Sequence, residues 1–90
     1  MKRATDKYDS QIMLAALLQL CFKHGFITAK EWALLRAVKS TKIEGRTIIR
    51  YEDYLVIDEI LKIELLNYHN DDPYVINVYN IETGDRELYS

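Results

Sequence analysis

The residues from Ile12 to Phe22 are apolar with one interruption, Gln19, and this run limits the possible folds more than any other feature of the chain. Leu, Ala and Met dominate it, and all three favour helix. The run therefore predicts a first helix that starts near Asp9 or Ser10, either of which can cap the unpaired N–H groups. Residues 1–7 ahead of it read as a flexible N-terminus. The helix should end near His24, because Gly25 suits the left-handed residue that often follows a helix. Ile12, Met13, Leu14, Ala15, Ala16, Leu17, Leu18, Leu20, Cys21 and Phe22 leave almost no polar side. A helix apolar all round must be covered on most sides. In a chain of 90 residues, it should be the central helix, or one whose spare face meets another chain. The run is too short to span a bilayer as a helix.

Thr28 and Glu31 then have the spacing of a capping box, with Ile27 and Trp32 or Ala33 placed as a hydrophobic staple. A second helix should run to about Lys39, closing a helical hairpin over 9–39. Residues 40–50 read as a basic connector that turns at Gly45, with a β-prone Thr47-Ile48-Ile49. Tyr54, Ile57, Leu61, Leu65 and Tyr68 recur at helical spacing, predicting a long acidic third helix over 51–68. Asn67 to Pro73 should stop it, since the residue before a proline is biased away from helix. Tyr74 to Tyr79 alternates, Thr83-Gly84 supplies turn residues, and Arg86 to Tyr89 returns, which predicts a C-terminal β-hairpin over 74–90. The expected fold is a single α+β domain: helical hairpin, long third helix, β-hairpin.

The segment Gly25-Phe26-Ile27-Thr28-Ala29-Lys30-Glu31-Trp32 resembles the short helical-hairpin domain known as SHOCT. Leu18 and Phe22 fall where that family's preceding helix is apolar, and Leu35 continues the second helix. The resemblance covers residues 11–39. Similar hairpins occur in small proteins of low-GC bacteria, their phages and mobile elements. It implies an accessory or oligomerising module rather than a catalyst.

Charge divides the chain. Residues 1–50 carry ten Lys/Arg against four Asp/Glu, and residues 51–90 carry two against ten. Such a split can steer partners. Cys21 is the only cysteine, so no intrachain disulfide is implied. The basic Met1-Lys2-Arg3 is followed by polar residues rather than a signal-peptide core, and a cytoplasmic protein is expected. Cys21 and His24 share a helix face, but a nucleophile also needs an orienting third group, and two ligands do not make a zinc site. His69, Asp71 and Asp72 make a polar cluster without a calcium-loop glycine. Glu52-Asp53 and Asp58-Glu59 are sequence neighbours that point to different sides of a helix. No phosphate-cradling glycine loop is present. Catalysis, a metal, a cofactor and a small-molecule substrate are therefore not expected.

Protein binding is the leading expectation, through a partner with a basic surface or through self-association. Asp58, Glu59, Glu64, Tyr74 and Tyr79 are the candidate contact residues, since tyrosines favour interfaces and the C-terminal part is acidic. The alternative is a small winged-helix-like DNA binder. It would use Lys30, Arg36, Lys39, Lys42, Arg46 and Arg50 as a basic tract around a reading helix over 28–39. Against it stands a sequence pI of about 5.6, far from a basic footprint.

Overall fold

In a computed structural model, the backbone of residues 3–66 and 74–90 is described, with side chains from Gln11 onward. Two helices, α1 (Arg3–Lys23) and α2 (Ala29–Leu35), precede six strands. The strands are β1 (Ser40–Ile43), β2 (Arg46–Arg50), β3 (Tyr54–Ile57), β4 (Leu61–Leu66), β5 (Val75–Asn80) and β6 (Arg86–Tyr89). They form one antiparallel sheet in the order β1-β2-β3-β4-β5-β6, each strand pairing with the next in sequence.

The expected architecture is thereby corrected. The protein is not a small helical domain: its described residues are mostly β, with neither a long third helix nor a free-standing helical hairpin among them. Residues 54–57 and 61–66 instead form β3 and β4, joined by a turn over Asp58-Glu59-Ile60. Tyr54, Ile57, Leu61 and Leu65 match a helical period, but the same stretch also alternates. Leu55, Ile57, Ile63 and Leu65 are buried, while Val56, Lys62 and Glu64 are only half-buried. Alternation at period two is the mark of a strand with one covered face, and pairing across the sheet satisfies it where a lone helix would not. The turn expected over 67–73, with His69, Asp71 and Asp72, lies outside the described residues. β5 and β6 pair where a terminal hairpin was expected, but they are the last two strands of the six-stranded sheet.

α1 begins at Arg3, ahead of the expected start. Leu14, Leu17, Leu18 and Cys21 follow the i, i+3, i+4, i+7 spacing of one helix face. Leu17, Leu18 and Cys21 are wholly buried, and Leu14 packs against the core. Gln11, Ala15, Gln19 and Phe22 stay exposed. α1 is thus a cover on the sheet, against β4 and β5, rather than a central helix. Its end is a Schellman motif: Phe26 N–H donates to the Cys21 carbonyl at 2.8 Å and Gly25 N–H to Phe22 at 3.1 Å. Gly25 has φ +83°, a value most side chains resist.

At α2 the capping box forms. Thr28 N–H donates to Glu31 Oε1 at 2.8 Å, and Glu31 N–H to Thr28 Oγ1 at 3.1 Å. The helix lasts seven residues, lies against β1, and its Trp32 ring stacks on Phe22 at 4.5 Å between centroids. The core sits between this helix layer and the inward side of the sheet. Leu17, Leu18, Cys21, Ile27 and Leu35 meet Ile48, Leu55, Ile57, Ile63, Leu65, Ile76 and Val78 there.

Candidate interaction surface

Because strand side chains alternate, burying Ile48, Leu55, Ile63 and Ile76 under the helices commits their neighbours to the opposite side. Among the described residues, neither helix lies on that side. Register sets its rows. Ile49, Val56, Lys62, Tyr79 and Arg86 run side by side from β2 to β6, and Tyr54, Glu64, Asn77 and Leu88 form the next row. Leu66 and Val75 pair beyond them. Lys42 and Thr47 pair at the other end, beside the Asp58-Glu59 turn.

The surface is aromatic and carries both signs of charge. The Tyr51 and Tyr54 rings stack at 4.6 Å with 13° between planes. The Lys62 ammonium lies 4.6 Å from the Tyr54 centroid, and the Arg86 guanidinium 5.8 Å from that of Tyr79. Such cation–ring contacts are worth about 0.5–1 kcal/mol at exposed sites. Leu88 is 55% exposed, the most open large apolar residue of the described chain. Asn77 Oδ1 is buried with no hydrogen-bond partner among the described residues. Two shallow depressions open here. One, of about 190 Å³, is lined by Thr47, Ile49, Val56, Asp58 and Glu59. The other, of about 420 Å³, is lined by Lys39, Ile49, Arg50, Tyr51 and Glu52. Neither gathers a nucleophile with a base.

Of the acidic and aromatic residues singled out from the sequence, Glu64 and Tyr79 stand on this face. Asp58 and Glu59 form the turn at its end, both at left-handed φ, 53° and 60°. Asp58 also braces the neighbouring strand, because its Oδ1 accepts from Thr47 N–H at 2.9 Å. Tyr74 turns the other way and packs against the core. These residues lie on strands and turns, not on an acidic helix.

The basic tract is dispersed rather than gathered. Lys30 and Arg36 are exposed at α2, and Lys39 is exposed before β1. Lys42 lies on the helix-free face. Arg50 Nε donates to the Val38 carbonyl at 3.3 Å. Arg46 is committed inside the fold. Its Nε donates to Glu31 Oε2 at 2.9 Å and its Nη2 to the Phe26 carbonyl. Among the described residues no helix-and-wing arrangement forms, since a seven-residue α2 packed on β1 replaces the reading helix expected over 28–39.

Cys21 is fully buried, and burial pushes its thiol from 9.0 up to about 12. The His24 ring instead meets the Ser90 carbonyl at 3.0 Å and tilts against Tyr89, so the two do not form a reactive pair. Tyr54, Lys62, Ile49, Val56 and Arg86 were missed from sequence. For Lys62 the signal was the alternation of Leu61-Lys62-Ile63-Glu64-Leu65, masked by an equally good helical period; Tyr54 to Ile57 is apolar throughout, and Ile49 and Arg86 lie on other strands. Among the described residues, no helix is long and apolar enough to cross a membrane. No protein-family model, curated protein or solved structure matches this chain.

Proposed function

We propose that this chain is a non-enzymatic binding protein that recognises another protein through the helix-free face of its sheet. One observation carries the reading: a sheet covered by helices on one side presents aliphatic, aromatic and charged side chains together on the other. Exposed apolar patches rimmed by polar groups mark interaction sites, and tyrosine and arginine are enriched in them. A regulatory or accessory role, of the kind the SHOCT resemblance implies for a phage or mobile-element protein, belongs to this proposal. So does a cytoplasmic setting, which suits a chain whose one cysteine is a buried thiol. That thiol's raised pKa argues against its use as a nucleophile.

A second reading uses the same rings. Tyrosines beside Lys62 and Arg86 resemble a stacking platform for single-stranded nucleic acid. Glu64 in the middle of the face and Asp58 and Glu59 at its end oppose phosphate, so protein is the preferred partner.

Chemical cross-linking in cells that make the protein tests the proposal, comparing the native chain with Val56→Lys and Tyr79→Ala. Loss of the native cross-linked species from both variants, with unchanged circular dichroism, supports it. The same species from all three proteins overturns it. Titration with a single-stranded oligonucleotide discriminates the second reading, which requires binding that weakens steeply with salt.

A further inference from the structure

The charges on the helix-free face have a self-complementary arrangement. Lys62 and Glu64 stand two residues apart on one side of β4, a separation of about 7 Å. Among the described residues, neither is in an ion pair. They belong to adjacent rows fixed by register: Lys62 with Val56 and Tyr79, Glu64 with Tyr54 and Asn77. A two-fold axis lying along the face and crossing the strands between these rows exchanges one row for the other. Each Lys62 then lies over Glu64 of a second copy, and each Glu64 over the second Lys62. The same operation sets Val56 over the second copy's Tyr54, apolar on aromatic. It also sets Tyr79 over the second copy's Asn77. An isologous interface needs this property, in which residue i meets j and j meets i.

We infer that the occupant of this face is a second copy of the chain, packed sheet to sheet about that axis with Lys62 and Glu64 as reciprocal ion pairs. The inference rests on the reading of this face as a protein-binding surface. Nucleic acid is disfavoured as occupant because it would place phosphate against Glu64. A partner of one charge sign is disfavoured because the face carries Lys42, Lys62 and Arg86 along with Glu64, Asp58 and Glu59. Six strands span about 24 Å and the rows about 20 Å, giving about 500 Å² per copy. The total of about 1,000 Å² is at the low end for a specific interface. Sheet twist confines close contact to the central strands. A weak, concentration-dependent dimer is therefore expected rather than a permanent one.

Sedimentation equilibrium of the full chain from about 1 μM to about 1 mM tests the inference. The native chain should move from monomer towards dimer within that range. Lys62→Glu and Glu64→Lys should each weaken association about tenfold or more, because two attractions become two repulsions. An equimolar mixture of the two variants should recover it, since each then meets opposite charges, and so should the doubly exchanged chain. Lys62→Gln and Glu64→Gln, checked for folding by circular dichroism, serve if a charge reversal disturbs the sheet. A native chain that stays monomeric throughout overturns the inference, as does a dimer indifferent to these variants or a mixture no better than its components. If the native chain is monomeric while its cross-linked species vanish on Val56→Lys, the dimer falls and the face remains a surface for a different protein. If those species also survive Val56→Lys, both readings fall.

Discussion

At the scale of a residue, Cys21 shows how burial decides chemistry. The thiol lies in the core with Leu17 and Leu18, and desolvation raises it from 9.0 to about 12. The unfolded chain loses the proton at its ordinary value, so above about pH 9 ionisation favours the unfolded state. The thiol's neutral burial therefore costs nothing below pH 9, and stability falls as pH rises from there towards 12. The slope is about 1.4 kcal/mol per pH unit. Tyrosines and lysines titrate in the same range, so Cys21→Ala is the reference. Urea unfolding at pH 8, 9 and 10 should show the native chain losing stability faster than this variant. Parallel losses would mean that the thiol is open to water.

At the scale of an element, the β3–β4 turn is the least obvious join. Asp58 and Glu59 both have φ near +55°, as the two central residues of a type I′ hairpin turn must. The β1–β2 turn meets the same demand with Glu44 and Gly45 at φ 53° and 81°. Asp58 fits its place, since aspartate tolerates this region and its side chain also binds Thr47 N–H. Glu59 has no such contact among the described residues and bears a left-handed cost of about 1–2 kcal/mol. Glycine there removes the cost while adding freedom to the unfolded chain, so Glu59→Gly should stabilise by about 0.5 kcal/mol. That corresponds to a thermal midpoint higher by about 2–4 °C. A lower midpoint by calorimetry would reveal a compensating contact of Glu59.

At the scale of the whole molecule, a helix layer and a sheet must be held in one relation. Glu31 is 2% exposed. It closes the α2 capping box with one oxygen and takes Arg46 of β2 with the other. Arg46 also reaches the Phe26 carbonyl in the loop between the helices, so one side chain ties helix, loop and sheet. Removing it leaves a carboxylate with little access to water. A buried pair broken in this way costs about 3–5 kcal/mol. The arginine is 37% exposed, so the expected loss for Arg46→Ala is about 2 kcal/mol. Chemical denaturation of Arg46→Ala, Glu31→Ala and the double variant measures it. The double variant should cost clearly less than the two losses added together, and full additivity would separate the tie into two independent contacts.

Much of the helical layer was legible because its determinants are local. The Gly25 terminus and the Thr28–Glu31 box depend on residues three to five apart, and both form where their spacing puts them. The alternation of Tyr74 to Tyr79 likewise announced β5. Residues 51–66 were not legible in the same way. Tyr54, Ile57, Leu61 and Leu65 satisfy a helical stripe while Leu55, Ile57, Ile63 and Leu65 satisfy a strand's alternation, and Asp58-Glu59 carries no glycine to mark a turn. Pairing with β2 and β5 resolves that ambiguity, through hydrogen bonds to residues far along the chain. The candidate surface depended on the same step. Glu64 and Tyr79 were visible as an acid and an aromatic, but only a shared sheet puts them beside Lys62 and Tyr54, and Tyr74 beneath the helices. The amino-acid sequence by itself determined where α1 ends and α2 begins, the apolar helix that had to be covered and the last strands, because local backbone and side-chain preferences suffice there. The tertiary structure alone decided which side of the sheet α1 covers, and so which residues the other side presents, because that choice rests on contacts between residues distant in the chain.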